Sequence, residues 1–597
     1  MKQLALLCVS IVGVFQIFLT GMKINTMSVG GILRGMAAGM VCVVSWLGCS
    51  TPDEYFAKAD KEVYNILNLR QQQMFGQEQG FGVETPYSAR APEDILPEEI
   101  ILNRFTEGTN KITLAIALEL AVNNSRDYQS QRETLYLSAL SLTGERHKFA
   151  LKFSKSTNLD LDRSRSASGA LDTDSDAAFT VSKALKAGGT LTASLANNLK
   201  LYFDGSTSAK VPSLTFALTQ PLLRGAGEQM ALETLTQAER NLVYAIRTYS
   251  RYQETFLVDR TSDYLNLLLS KKKVRVAYQL YQNRILFRRE QELRLQGELI
   301  SQFELDQALR SEYQSKVGYI NDIESYRGLL DDFKKHLNMP LGQELVLDDA
   351  ELFNLEKFGL QPLPLTDAYG FQLALTNRLD IINEVDKFQD KKRKVKVAAD
   401  DLLPSLKFVT DLSLKDQYYH RNSFDFSDYS AKAGLSLDLP LDKLTERNAY
   451  RQSRINFEQQ LRSLMRTLDD LRDTLRTNVR TLDQNQQSYI INQKALIVAR
   501  RELEKARLDM LAGGRVSPRD IIEAQTAVAS AENSVYSSLI NFHTQRLKLL
   551  NNTGILKTSQ NNWWRTIQQV PGVAPLPPGP AGQEDLPVLP PLEVLGN

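Results

Sequence analysis

The chain has 597 residues, with 71 lysines and arginines against 70 aspartates and glutamates, a formal net charge of +1. Hydrophobic residues make up 43% and charged residues 24%, a balance of folded protein that argues against global disorder. The even charge gives no reason to expect nucleic acid as a partner, and a mean hydropathy of −0.29 excludes a polytopic helical membrane protein but not a β-barrel.

Reactive side chains are scarce. The only cysteines are Cys8, Cys42 and Cys49, so neither a disulfide framework nor a thiolate metal site is expected. His147, His336, His420 and His543 lie far apart, without metal-ligand spacing. Gly225-Ala226-Gly227 lacks the rest of a dinucleotide fingerprint. The reading is of a protein with no catalytic residues, no metal and no cofactor.

The amino terminus carries two apolar stretches, Leu4–Leu19 and Gly31–Leu47. Residues 1–48 read as a secretory signal, with the true start at Met22 or Met27. Gly48-Cys49 resembles a bacterial lipoprotein processing site, with Trp46 departing from its usual aliphatic residue. By that resemblance Cys49 is lipidated and Ser50 directs the chain to the outer membrane; simple cleavage or an uncleaved anchor are the alternatives. Residues 49–98 then form a lipidated N-terminal helix, opened by the capping residues Thr51-Pro52-Asp53-Glu54, and a linker.

Long helices follow a length rule. Residues 228–296 and 443–512 each read as one helix of about 100 Å at 1.5 Å per residue. Thr113–Arg146, 302–338, Thr366–Leu402 and 518–551 are about half as long. Two half-length helices end to end match one long helix laid antiparallel beside them, and this occurs twice. The apolar seam of Leu461, Leu464, Leu468, Leu471, Leu475 and Leu482 steps by threes and fours among charged residues, as in a coiled coil.

Between the helices the period changes to two, over residues 147–221 and 404–441. Leu406, Phe408, Leu412 and Leu414 oppose Lys407, Asp411, Ser413 and Lys415; Tyr429–Leu439 alternates in the same way. In the first half Phe149, Leu151, Phe153, Leu159 and Leu161 oppose Lys148, Lys152, Ser154, Asp160 and Asp162. About ten alternating residues suit a tilted strand crossing a bilayer. So few strands cannot close a barrel alone, so several chains are expected to contribute. Two further alternating stretches, Phe179–Leu185 and Leu191–Phe203 around Gly188-Gly189, are expected to form an extra hairpin projecting from the cell surface; more barrel strands are the alternative.

The halves repeat one another. Ala121-Val122-Asn123-Asn124 with Asp127 matches Ala374-Leu375-Thr376-Asn377 with Asp380. Gly297, Ile300, Ser301, Glu304, Leu305 and Ala308 match Gly513, Val516, Ser517, Asp520, Ile521 and Ala524 at identical spacing. With these motifs, and with Thr215–Gly227 at a strand-to-helix junction, the sequence resembles the TolC outer-membrane efflux protein family. The resemblance implies an α+β membrane protein built as a duplicated TolC-like unit: a trimeric outer-membrane β-barrel of two strands per half, continued by an antiparallel α-helical coiled-coil barrel. The expected units are a first repeat over 99–340, an equatorial connection over 341–363, a second repeat over 364–556 and a proline-rich tail over 557–597.

The resemblance further implies an outer-membrane channel of a tripartite efflux or type I secretion system, with outer-membrane lipid around it and the helical part in the periplasm. Its partners would be a periplasmic adaptor and an inner-membrane transporter of RND or ABC type. Asp520 and Glu523 either line the periplasmic entrance as carboxylate rings or favour the helix N-terminus electrostatically. Glu304 and Gln307 take the equivalent places in the first half, and Arg515 is a candidate for holding the entrance shut. Gly297, Ser301, Gly513, Gly514 and Ser517 are the candidate adaptor-contacting tip residues. The competing readings are the periplasmic adaptor lipoprotein itself and a structural envelope lipoprotein.

Overall fold

The structure, a computed structural model, describes residues 51–76, 81–163, 171–202, 209–361, 363–415, 429–512, 516–556 and 558. The expected signal over 1–48, Cys49, Gly513, Gly514, Arg515 and all of the expected tail but residue 558 lie outside the described residues. The chain divides into two compact units, Met1–Asn65 and Ile66–Asn597. Of the first, the described part is the start of helix α1, Pro52–Phe75, which has Asp53 and Glu54 in its first turn where they complement the helix dipole.

The larger unit holds α2 (Pro97–Arg104), β1 (Thr109–Ile112), α3 (Leu114–Asn124), α4 (Arg126–Lys148), β2 (Lys152–Arg163), β3 (Leu171–Ala184), β4 (Thr190–Tyr202) and β5 (Ala209–Pro221). A one-turn lead-in, Glu228–Ala231, precedes α5 (Glu233–Gln296), and α6 (Gln302–His336), β6 (Glu344–Leu347) and α7 (Ala350–Phe358) follow. The second repeat contains α8 (Asp367–Asn377), α9 (Leu379–Asp400), β7 (Ser405–Lys415), β8 (Tyr429–Asp438), α10 (Leu444–Leu511) and α11 (Pro518–Thr553). The half-length helices α4 and α6 both pack on α5, while α8, α9 and α11 pack on α10. Helices α9 and α11 also touch α5, which joins the repeats.

Both leading half helices are broken, although each was expected to run unbroken. Ser125 between α3 and α4, and Arg378 between α8 and α9, have extended backbone at ψ 127° and 113°. They occupy equivalent places in the repeat. Ser125 Oγ accepts from Tyr128 N and restarts the helix, whereas Arg378 is held in a two-pronged bond by Asp380. The second break is also a close packing point. Gly554, which ends α11 at φ 72°, lies so close that a Cβ there would stand 2.9 Å from Asn377 C.

The six long strands form one antiparallel sheet in the order β2-β3-β4-β5-β7-β8. This corrects the expected surface projection. The stretches around Gly188-Gly189 are β3 and β4, paired along their lengths with each other and with β2 and β5. Their turn lies at the helix end of the sheet, where Gly227 N donates to Ala187 O (3.3 Å) and Gln220 Nε2 donates to the same carbonyl (2.9 Å). A side chain at Gly188 would meet Gly225 O at 2.6 Å, so this close turn needs glycine.

At that same end each strand pair passes into helix. Gly225 and Gly227 take φ 74° and 91° to turn the chain from β5 into α5. Gly225 N donates to Asp400 Oδ2 (2.6 Å), and Lys443 Nζ donates to Leu402 O (2.7 Å). The lone Gly-x-Gly is a corner of the backbone. Just beyond it, Asp390 of α9 is 4% exposed and receives Tyr244 OH (2.6 Å), Arg393 (3.1 Å) and Arg240, a charged network between the repeats.

Midway along α5, the parallel pair β1–β6 and Asp349, just before α7, are bonded to it. Buried Tyr264 OH donates to Ile112 O (3.1 Å), and Lys271 donates to Leu347 O (3.0 Å) and Asp349 Oδ1 (2.7 Å). The deepest second-repeat core joins Ala374, Ile381, Leu471, Leu475, Leu482, Phe542 and Leu549, where the leucine seam of α10 meets α8, α9 and α11. Of the seam only Leu471, Leu475 and Leu482 are sealed, and Leu461 remains 36% exposed.

Two outcomes follow from this packing. Gly554→Ala places a Cβ in a left-handed residue against the break at Arg378, and should cost roughly 1–3 kcal/mol, read as a lower thermal midpoint in detergent. His543 is 8% exposed, and burial, followed by the nearby Arg546 charge, lowers its pKa to about 4. The unfolded chain therefore binds the proton first. Stability due to neutral His543 is fully present above about pH 6.5 and declines as pH falls to about 4, by about 3 kcal/mol at most. His543→Gln should flatten the thermal midpoint between those pH values; an unchanged slope would show that the loss lies elsewhere.

Candidate functional site

The end of the helices farthest from the sheet is made of two turns, α5 to α6 and α10 to α11. Their local geometry follows from a few residues. After Gln296, Leu299 N donates back to Arg294 O (2.9 Å) and Glu298 takes φ 56°. Ser301 then opens α6 with a capping box: its N–H and hydroxyl donate to Glu304 Oε2 at 2.8 and 3.0 Å. The second turn repeats this with Ser517 and Asp520. Both Ser517 N and Oγ donate to Asp520 Oδ2 at 2.9 Å, and Asp520 N donates to Ser517 Oγ at 3.4 Å. Pro518 takes the first helical position.

The two weighed roles of the acidic residues are thereby partly separated. Asp520 makes the capping interaction, and the Ser517 N–H and hydroxyl hold its carboxyl below the usual carboxylate range. It is exposed as well, so one carboxylate can both cap a helix and face solvent. Glu523 is exposed and pairs with Arg519 (2.8 Å). Glu304 caps α6, and Gln307 is half-buried one turn further. The hydroxyls of Ser301 and Ser517 are taken up by the caps.

Behind the turns lies a small core of Phe287, Ala308, Met510 and Ile521. Sequence reasoning missed the charge within it. Arg284 of α5 is 3% exposed, and its Nη2 donates to Ile522 O (2.6 Å) and Thr526 Oγ1 (2.7 Å) of α11. Its Nε and Nη1 have no hydrogen-bond partner, and burial lowers its pKa to about 10. Nearer the tip, Arg294 donates to Met510 O (3.3 Å) of α10. These two arginines tie the first repeat to the second where the helices end. No local motif marks them, because their partners lie more than 200 positions away. Also missed were the apolar residues that crown the tip: Leu299 is 75% exposed, Phe303 67% and Leu511 73%.

At the other end, one face of the sheet is mostly apolar, interrupted by Lys155, Lys183, Gln220 and Thr410. Cross-strand register puts Phe153, Phe179, Val181, Leu191, Leu195, Leu214, Phe216, Leu218, Leu406, Phe408, Leu412, Leu414, Leu435 and Leu437 on one side. The opposite side carries Ser154, Thr180, Ser182, Thr192, Ser194, Thr215, Lys407, Asp411, Ser413, Ser430, Lys432 and Ser436. The apolar side is uncovered: Phe153 is 67% exposed, Phe179 45%, Leu195 41% and Leu435 66%. Among the described residues, no strand pairs with the outer edges of β2 and β8. Among the described residues no helix is long and apolar enough to cross a membrane, and no cluster of His, Cys, Asp or Glu is arranged to hold a metal ion.

Comparison with known proteins places this arrangement. Residues 370–554 match the family model described as outer membrane efflux protein. A comparison with curated protein sequences found no match. Among solved structures, the chain is similar to the CmeC outer membrane channel of Campylobacter jejuni, with 14% identity, a TM-score of 0.54, and coverage of 74% of this chain and 85% of that one. The outer membrane protein VceC of Vibrio cholerae aligns at 13% identity and TM-score 0.54, over 74% of this chain and 96% of that one. The MtrE outer membrane channel of Neisseria gonorrhoeae, in its open state, aligns at 11% identity and TM-score 0.54, over 74% and 89%. The chain has the fold of the TolC-like outer-membrane channels, and residues 370–554 of its second repeat match the outer membrane efflux protein family model.

Proposed function

We propose that this chain is the outer-membrane channel of an efflux system, exporting substrates through a barrel and a periplasmic helical tunnel made by three copies. The carrying observation is the six-stranded sheet: one uncovered apolar face, one polar face, and two unpaired edges. Lipid accepts such a face but not such edges, because an unpaired backbone group in hydrocarbon costs several kcal/mol. Other copies supply the missing strands. The helices support the same reading. Tyr313, Val317 and Ile320 form an exposed stripe on α6, and Ile491 and Val498 stand a heptad apart on α10, all at least 48% exposed. Such stripes suit neighbouring helices of further copies.

In this reading the helical tip is the periplasmic entrance. Exposed Asp520 and Glu523 place six carboxylates around a threefold axis, which favours cations there. Leu299, Phe303 and Leu511 offer apolar contacts to a periplasmic adaptor, which links the tunnel to an inner-membrane transporter of RND or ABC type. Lipidation of Cys49 would add an anchor in the same membrane. An adaptor lipoprotein would not explain the open membrane-like sheet, and a structural envelope lipoprotein would not conduct.

The purified full chain should form threefold particles in detergent and conduct ions in planar bilayers; a stable monomer soluble without detergent overturns the reading. Asp520→Asn combined with Glu523→Gln removes the charges while leaving an acceptor at the cap, and should lower cation selectivity. Ser517→Ala removes the cap and leaves the charge, and should cost about 1 kcal/mol of stability with selectivity retained. If Ser517→Ala lowers selectivity equally, Asp520 acts through helix geometry alone.

A further inference from the structure

Among the described residues, the hairpin β3–β4 has no counterpart in the second repeat, where β7 and β8 separate the helices. It lies inside the sheet, between β2 and β5, rather than at an edge. Removing it in thought would leave β2 and β5 unjoined. Around its centre the alternation continues that of its neighbours: Phe179 faces Leu195 and Leu195 faces Leu214 on the apolar side, while Thr180 faces Ser194 and Ser194 faces Thr215 on the polar side. Thr180 and Ser194 are hydrogen-bonded through their hydroxyls at 3.1 Å. Phe179 also stacks on Phe153 of β2, with ring centroids 6.4 Å apart.

Two further observations place the hairpin at the depth of the other strands. Its turn is locked to the strand-to-helix corner by Gly227 N and Gln220 Nε2, both donating to Ala187 O. Its strands of 14 and 13 residues exceed the roughly 9–11 needed to cross hydrocarbon at a tilt. The same apolar face runs through β5, β7 and β8, so whatever covers those strands covers these.

We propose that β3 and β4 are membrane-spanning wall strands with their apolar side against lipid hydrocarbon, so that three copies close one barrel of about eighteen strands, β2 of each copy pairing with β8 of the next. This rests on the channel reading above and adds to it the width of the exit. Barrel diameter grows roughly linearly with strand number, so about eighteen strands make a lumen half as wide again as the twelve implied by two strands per half. Strand numbers of about 16–18 leave an open aqueous channel. Among the described side chains, the added lumen wall carries the hydroxyls of Thr180, Ser182, Thr192 and Ser194, which hydrate the passage. The exit therefore suits bulky, hydrated cargo.

The test uses the full chain in liposomes. Thr180→Cys and Ser194→Cys should react with a membrane-impermeant maleimide on the order of tenfold faster than Phe179→Cys and Leu195→Cys, because only the first pair faces water. Phe179→Trp and Leu195→Trp should be quenched by brominated lipid, with the unsubstituted chain as background for both labels. Equal reaction at all four cysteines, or no lipid quenching, overturns the membrane placement. A reconstruction of the unsubstituted protein in lipid nanodiscs is independent of any variant: eighteen wall strands support the proposal, and twelve with a separate hairpin sink it. Threefold particles with equal labelling would overturn this inference alone, whereas particles without threefold symmetry would overturn the channel reading with it.

Discussion

A strand edge exposes a row of N–H and C=O groups, and hydrocarbon has nothing to offer them. The sheet has two such edges, on β2 and β8, together with a broad uncovered apolar face. Burying that face in lipid is favourable only if the edges are paired, so membrane insertion and assembly are one requirement. A single copy is an incomplete solute in either phase. The long helices inherit the same need, since their seams seal only part of their apolar residues against their own chain.

The two ends of the molecule handle polar groups differently. At the sheet end, charges meet in a dense network around Asp390, Arg240, Arg393 and Tyr244. Breaking one member there would strand the others in a poorly hydrated site, which is costly. At the tip, Arg284 has only one of its guanidinium nitrogens satisfied, and the capping carboxylates face solvent. Local opening free energies vary widely within one protein, and ends with few buried apolar contacts open first. The tip has a four-residue core, and the waist above it has Tyr264 and Lys271 bonded to two crossing strands.

Much of the architecture could be read from local pattern. Glycine-free runs with helical spacing, alternation of period two and the matched motifs at Gly297 and Gly513 all report short-range physics. The breaks at Ser125 and Arg378 were not legible in the same way. Arg378 has no sequence mark of a helix end, and Gly554, which packs against it, is distant in sequence. Strand β3 was recognised only from Phe179 onward, because Leu171–Asp176 is mostly polar and resembles a loop. The capping of α11 by Asp520 was legible as one of two options, from serine and aspartate three residues apart. Arg284 was not, because a buried arginine on a long polar helix looks like any other until its partner helix is placed.

The fastenings along α5 change partner with position. Near the sheet Arg240, Arg247 and Gln237 bond to α9, and at mid-length Tyr264 and Lys271 hold β1 and β6. Beyond that, Lys272 and Arg284 reach α11, Arg294 reaches α10, and Arg288 pairs with Glu312 of α6. A beam gripped by a different neighbour at each level hands a push at its far end to whichever helix holds it there. Displacement of the tip would then be shared among α6, α10 and α11 before it reached the corner at Gly225.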